Sequence, residues 1–318
     1  MRHAAAAGPL IPETSTRTRA ARSRRAARPR RSATPRNRPR TAFVLSGGAS
    51  LGALQVGMLR ALYERGVTAD LLVGTSVGAL NAAFIASCPQ TPETARELAR
   101  AWRGIERADA FPVSLRTMVG GLAGHRDHLV PAHGLRRIVE RHVELDDLAD
   151  AAVPLSLVAF DVNAGTEAVM CDGPAVDAIV AACSIPGIFP PVAIGEKLLV
   201  DGGVVNNTPI RHAVELGAER VYVLPTQEPR YVQPAPPRTA LDAAIYGIGL
   251  LVGSRLEADV FRYQGEVELI VLPAANTEHV QPTNFERSSQ LAAEAYVASR
   301  DALARAAAQQ GPRARLAA

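Results

Sequence analysis

LVGTSVGALNAAF, residues 72–84, runs from an apolar stretch into a glycine-flanked serine and then into small helix-forming residues. Gly74, Thr75, Ser76, Val77 and Gly78 spell G-x-S-x-G. Glycines on both sides of the serine permit a sharp strand-to-helix turn, because neither carries a Cβ that would clash. Such an elbow lifts the serine hydroxyl above a sheet, where it can act as a nucleophile. Five residues alone also fit an ordinary polar turn, so the choice rests on what surrounds them.

Immediately upstream, TAFVLSGGASLGALQVGMLRALYERGV (41–67) has the same layout. A short apolar run meets a glycine loop, and Leu54, Met58, Leu59 and Leu62 then recur at helical spacing before Gly66 ends the helix. Two β-loop-α units in succession predict an α/β protein: a three-layer α/β/α fold with a mostly parallel central sheet, covered on both faces.

Further along, residues 90–150 read as mostly helical and able to form a lid, with Thr91 and Thr94 as a weak capping box and HGLRRIVERHV as an amphipathic helix. PLSLVAFDVNAGTEAVMC (154–171) reads as two strands around an Asn-Ala-Gly turn, and VDAIVAACSI (176–185) as a buried helix closed by Pro186. Strands follow at 198–200, within 216–226 and at 267–274, with a final helix from about Arg287 to Ala308. AAIYGIGLLVG (243–253) is too short to span a bilayer and is expected to be a buried helix. No repeat of solenoid period is present.

The chain's net charge of +4 conceals an asymmetry. Residues 1–40 hold twelve arginines and one acid, Glu13, which leaves −7 for the rest. That segment has too few large apolar residues to offset its ordering entropy, so residues 1–40 are expected to be a disordered Arg-rich tail and 41–310 the folded domain. The basic balance belongs to the tail, and no nucleic-acid partner is expected for the domain. No apolar core of a secretory signal lies among the arginines. Cys88, Cys171 and Cys183 are odd in number and lack metal-ligand spacing, which points to a reduced, cytoplasmic compartment and to no metal site.

A nucleophilic serine needs oxyanion donors and a base. SGGASLG (46–52) supplies candidate donors, since its backbone N–H groups can face a developing negative charge at a helix start. A dinucleotide loop is excluded: the glycines do not fall as G-x-G-x-x-G, and the second strand ends in Gly74-Thr75-Ser76 where a ribose-binding acid would stand, while Asp70 begins it. The candidate base lies in SIPGIFPPVAIGEKLLVDGGVVNNTPI (184–210), where Asp201 ends a short apolar strand before Gly202 and Gly203. A lone D-G-G is more often a solvated turn, but here it shares a chain with an elbow serine and a glycine loop.

These three ordered motifs, with the flanking IPGIFPPV and VVNNTP runs, resemble the patatin-like phospholipases, lipid acyl hydrolases with a Ser-Asp dyad and no histidine. The resemblance covers roughly residues 41–226. It implies Ser76 as nucleophile, Asp201 as base, and the N–H groups of Gly47, Gly48 and Ala49 as the oxyanion hole, with Gly74, Gly78 and Gly202 shaping the elbow and turn. It implies lipid or acyl-ester substrates, no cofactor, and peripheral membrane contact as an option. One motif departs: the family usually has three glycines, a variable residue, Arg or Lys, then Gly, whereas this chain has Ala49 and Leu51. Backbone donors survive both changes, and head-group preference is left open.

Two other readings compete. An α/β-hydrolase with a Ser-Asp-His triad would use His279, but a single strand precedes the elbow strand here, fewer than that fold builds before its nucleophile. His125, His128, His133, His142 and His212 are expected at the surface. A catalytically silent lipid-binding module on the same scaffold is the third reading.

Overall fold

The computed structural model describes residues 38, 40–112, 127–228, 240–274 and 283–309. In chain order the elements are β1 (Thr41–Leu45), α1 (Ala53–Tyr63), β2 (Leu71–Thr75), α2 (Val77–Ala86), α3 (Pro92–Arg103), α4 (Arg107–Ala110) and α5 (His133–His142). Next come β3 (Leu155–Asp161), β4 (Thr166–Met170), α6 (Ala175–Ala182), β5 (Val192–Ile194), β6 (Lys197–Asp201), α7 (Gly203–Asn206) and α8 (Ile210–Glu215). β7 (Arg220–Leu224), α9 (Ala240–Tyr263), β8 (Glu268–Val271) and α10 (Ser288–Gln309) complete the described chain.

The sheet is ordered β5-β6-β3-β2-β1-β7-β8, with β4 also paired to β3. β3, β2, β1, β7 and β8 are parallel neighbours, and β4, β5 and β6 join in antiparallel fashion. Alternation along β1 creates the three layers. Phe43 and Leu45 point into a core built with α1, α2, α6 and α10, while Ala42 and Val44 point into a second core with α8 and α9. Each fully buried Leu or Phe in these cores contributes roughly 1.5–3 kcal/mol. The three-layer, mostly parallel α/β architecture read from the sequence is the architecture observed.

β3 determines where the chemistry can occur. Its residues Leu157 and Val158 pair with Gly74 and Thr75 of β2 on one edge and with Met170 and Val169 of β4 on the other. Beyond Val158 the β4 side continues, but the β2 side is taken over by β6, whose Asp201 lies opposite Ala159. β2 runs with β3 and β6 against it, so the C-terminal ends of β2 and β6 meet head to head on one edge of a third strand. Thr75 and Asp201 are therefore opposite consecutive residues, one strand step of about 3.3 Å apart along β3.

Several expectations are revised. Arg38 and Arg40, counted with the tail, are held by the folded unit: the Arg38 guanidinium donates to both Asp70 oxygens at 2.9 and 3.0 Å, and Arg40 donates to Glu219 and Leu216. The disorder expected for the rest of the tail lies outside the described residues, as do His125 and His279. The 243–253 stretch falls within the 24-residue helix α9, and Leu251 near its middle is 71% exposed, so the helix is not buried all round. Among the described residues of this helix, Leu256 and Tyr263 meet the second core. Among the described residues no helix is long and apolar enough to cross a membrane.

Candidate active site

The elbow is strained where the nucleophile reading requires it. Ser76 has φ 55° and ψ −131°, a conformation that side chains rarely adopt and that costs on the order of 1–3 kcal/mol. Close packing holds it there. Cβ atoms on Gly74 or Gly78 would strike, respectively, the Gly78 carbonyl and the Leu45 carbonyl, so only glycines let β2, α2 and β1 approach this closely. The Ser76 carbonyl accepts from the N–H groups of Ala79 and Leu80 at 2.8 and 3.3 Å and from the Cys183 thiol at 3.0 Å.

The strand junction delivers Asp201 to this serine. Ser76 Oγ donates to Asp201 Oδ2 at 2.6 Å, and the Gly203 N–H donates to Oδ1 at 2.7 Å. Both side chains are buried, Ser76 at 8% and Asp201 at 4% exposure. Burial pushes the Asp201 carboxyl up to about 6, against the opposing pull of its bonds from Ser76 and Gly203. Such a group is ionised at neutral pH and basic enough to accept a proton. Burial, with the Asp201 charge, pushes the Cys183 thiol up, which keeps it a donor. Gly202 lies against β3, where a Cβ would meet the Val158 carbonyl oxygen at 2.6 Å.

The glycine loop stands beside the Ser76–Asp201 pair, with one revision. The Gly47 N–H donates to the Asn207 carbonyl at 3.1 Å, so it serves the loop's own anchoring and does not face an oxyanion. Gly48 and Ala49 make no such bond among the described residues, and Ala49 lines the same pocket as Ser76. Ala49 has φ 49°, a left-handed conformation at the position where the family usually places glycine. Leu51 is 8% exposed and packs into the first core, so the side chain that replaces the usual cation is turned inward. Val77 was not singled out from the sequence, yet its N–H lies in the first turn of α2, where no intrahelical acceptor exists, one residue after the serine.

An apolar cavity of about 60 Å³ opens from Ser76 and Ala49 and is walled by Leu80, Trp102, Phe111, Ile138, Cys183 and Phe285, among others. Its roof comes from α3, α4 and α5, the region expected to form a lid; residues 113–126 lie outside the described part. Thr91 caps α3 by accepting from the Thr94 N–H, as its spacing predicts. Phe111 stacks on Phe189 with ring centroids 5.3 Å apart.

The family profile described as patatin-like phospholipase matches residues 43–214, which include Ser76, Asp201, the glycine loop and the elbow. The chain belongs to the patatin-like phospholipase family. It is 30% identical over 185 residues to the mouse protein named patatin-like phospholipase domain-containing protein 7, a match covering 58% of this chain and 13% of the relative. An uncharacterized NTE family protein of Mycobacterium tuberculosis is 30% identical over 166 residues, covering 52% of this chain and 27% of that one. The chain thus matches well under a third of the length of either relative. Among solved structures, VipD from Legionella pneumophila aligns over 84% of this chain and 67% of its own, with a TM-score of 0.47 and 14% identity.

Behind the Ser76–Asp201 pair lies a second polar group that the sequence did not reveal. Glu167 on β4 accepts from Asn206 at 3.1 Å, Arg211 at 2.9 Å and His212 at 2.7 Å. His212, expected at the surface, is 7% exposed because it turns inward to this carboxylate. His133 is exposed, and His128 and His142 are half-buried. Among the described residues the Ser76 hydroxyl has Asp201 as its partner, and no histidine bonds to either member of the pair. No cluster of three His, Cys, Asp or Glu among the described residues is placed to hold a metal.

Proposed function

We propose that the domain spanning residues 41–310 is a serine acyl hydrolase that cleaves carboxylic esters of lipids through Ser76 and Asp201. The observation that carries this reading is the 2.6 Å bond from Ser76 Oγ to a buried carboxylate whose proton affinity is raised, at the mouth of an apolar cavity. Asp201 takes the hydroxyl proton as Oγ attacks the ester carbonyl, and the carbonyl oxygen gains the negative charge. The N–H groups of Gly48 and Ala49 supply hydrogen bonds to that oxyanion, with Val77 close by.

Collapse expels the alcohol, which takes the proton back from Asp201 and leaves Ser76 acylated. Water then repeats the sequence: Asp201 accepts its proton, the hydroxide adds to the acyl carbon, and Ser76 leaves with the proton returned. Both half-reactions balance without a cofactor or a metal. The apolar cavity favours an acyl chain over a polar group on the carbonyl side. Its small volume, below the roughly 150 Å³ that admits benzene in an engineered apolar cavity, favours short chains unless the roof moves. The three unpaired cysteines support a reducing compartment such as the cytoplasm.

A fluorophosphonate tests the proposal, because only an activated serine reacts with it. Mass analysis should find one adduct on Ser76, and none in Ser76→Ala or Asp201→Asn. A folded protein that binds acyl ligands yet takes up no phosphonate would instead identify a silent binding module.

A further inference from the structure

Three fully buried polar side chains connect the wall of the acyl cavity to both ends of the glycine loop. Trp102 Nε1 donates to Asn81 Oδ1 at 3.0 Å. Asn81 Nδ2 donates to the Gly52 carbonyl at 3.0 Å and to Gln55 Oε1 at 2.8 Å. Gln55 Nε2 donates to the Ser46 carbonyl at 2.8 Å and to the Leu224 carbonyl at 3.1 Å. Gln55 and Asn81 are 0% exposed and Trp102 3%.

Two properties separate this chain of bonds from incidental core polarity. First, every amide proton of Asn81 and Gln55 is used and each amide oxygen accepts, so the set has a single direction. Turning either amide over would set oxygen against oxygen. Second, the carbonyls it holds, Ser46 and Gly52, bracket the five residues 47–51 that contain the proposed oxyanion donors. The first loop residue is fixed separately, by Asn207 Nδ2 and the Thr226 hydroxyl donating to the Gly47 carbonyl. In this chain Leu51 is folded into the core, so no loop side chain of Arg or Lys type helps to orient those donors.

Resting on the acyl-hydrolase reading above, we propose that Trp102, Asn81 and Gln55 are positioning residues that set the oxyanion loop and make it responsive to what fills the acyl cavity. Trp102 belongs to both systems. Its ring lines the cavity and stacks on Phe285 with centroids 6.2 Å apart, while its N–H starts the relay to the loop. An acyl group that shifts the indole changes the hydrogen bond on Asn81, and through the two amides the loop ends respond. In reverse, an oxyanion seated on the loop is felt at the indole.

The chain's single tryptophan makes this measurable, since Trp102 gives the only indole N–H resonance in an NMR spectrum. The probe is the adduct of Ser76 with a methyl p-nitrophenyl phosphonate, whose phosphoryl oxygen occupies the oxyanion position and whose methyl group is too short to reach deep into the cavity. The indole resonance should move on labelling of the wild-type protein and stay in place in equally labelled Asn81→Ala. An octyl phosphonate should move it further. In kinetics, Asn81→Ala and Gln55→Met should each lower kcat for p-nitrophenyl acetate about tenfold while changing KM less than about twofold, the pattern of lost transition-state positioning.

A Ser76 adduct with an unmoved indole, or variants with wild-type kcat, would overturn the relay and leave the hydrolase reading intact. Absence of any adduct on Ser76 would overturn both. Should Asn81→Ala fail to fold, the wild-type indole shift and the Gln55→Met kinetics still decide the matter.

Discussion

Two carboxylates flank β3, and they are handled in opposite ways. Asp201, on the β6 side, is buried with only a hydroxyl and one backbone N–H for company, and burial lifts its proton affinity. Glu167, on the β4 side, is partly buried as well. Burial acts to raise it too, but bonds from Asn206 and His212 and the charge of Arg211 prevail and hold it below the ordinary value. The absence of a cationic partner among the described residues suits the first group to the base role proposed for it, and the presence of one makes the second an anchor. Glu167 secures the segment 206–212, from which Asn207 grips Gly47 and the Asn206 carbonyl accepts from Thr75, so the anchor supports the base's surroundings.

The largest effect should come from removing the proposed base. Asp201→Asn should reduce turnover of a soluble ester by orders of magnitude while the fold is kept, as should Ser76→Ala. Retention of a tenth of wild-type turnover by the folded Asp201→Asn protein would erase the contrast with Glu167.

Linkage predicts a stability change of the opposite sign. Asp201 has a folded pKa above its unfolded value, so its favourable contribution is full below the unfolded pKa near 4 and is lost as pH rises through about 6. Above that the native state must hold an ionised carboxylate in a dry site, at a cost of up to ~3 kcal/mol. Asp201→Asn should therefore be more stable than wild type at pH 8, by about half that margin at pH 5, and nearly equal to it below about pH 4, as measured by urea denaturation. Turnover of the wild type should rise with pH through the same region and then level off.

Glu167→Gln should behave in the reverse sense. It removes the negative charge between Arg211 and His212, and should cost about 1–2 kcal/mol at neutral pH with only a several-fold loss of turnover. Since the folded pKa of Glu167 is lowered, the wild-type advantage should shrink as pH falls through the carboxylate range. A Glu167→Gln protein as inactive as Asp201→Asn would show that the two groups form one catalytic unit.

The smallest effect is expected at Ala49. Its left-handed backbone is unfavourable for a residue with a Cβ, so Ala49→Gly should stabilise by about 0.5–1 kcal/mol once the added chain entropy of glycine is counted. The denaturation midpoint should rise with turnover within a few-fold of wild type. A fall in stability would mean that the Ala49 methyl contributes packing beside Ser76 that outweighs the strain.

The sequence disclosed the elements whose signals are local. The glycine-bounded apolar runs of β1 and β2, the β3–β4 turn and the helical spacing in α1 are each readable within a dozen residues. It did not disclose β5, three residues long, or the way β6 is inserted beside β3, because strand order depends on pairing between distant segments. Ser76 and Asp201 were legible through their glycine contexts. The loss of Gly47 as a donor was not, since it depends on Asn207, which lies 160 residues away. The inward turn of His212 likewise depends on a carboxylate 45 residues earlier, and periodicity in a six-residue helix carries no such information. Gln55 and Asn81 did leave a trace: Asn81 is the lone polar residue of α2, Gln55 is accompanied in α1 only by the charged Arg60, and a buried amide requires partners.

The meeting of β2 and β6 on one edge of β3 means that the separation of the proposed catalytic atoms is stored as a count, not as a length. A hydrogen-bond register can change only by whole residues, and a slip of one would send the Asp201 side chain to the opposite face. The pair can therefore be present or absent, but it cannot be gradually loosened by motions in the 124 residues between its members. Insertions and deletions in that interval leave the count untouched as long as β3 and its two neighbours survive. A scaffold of this kind can exchange the helices that line the cavity beside Ser76 without renegotiating the geometry of the Ser76–Asp201 pair.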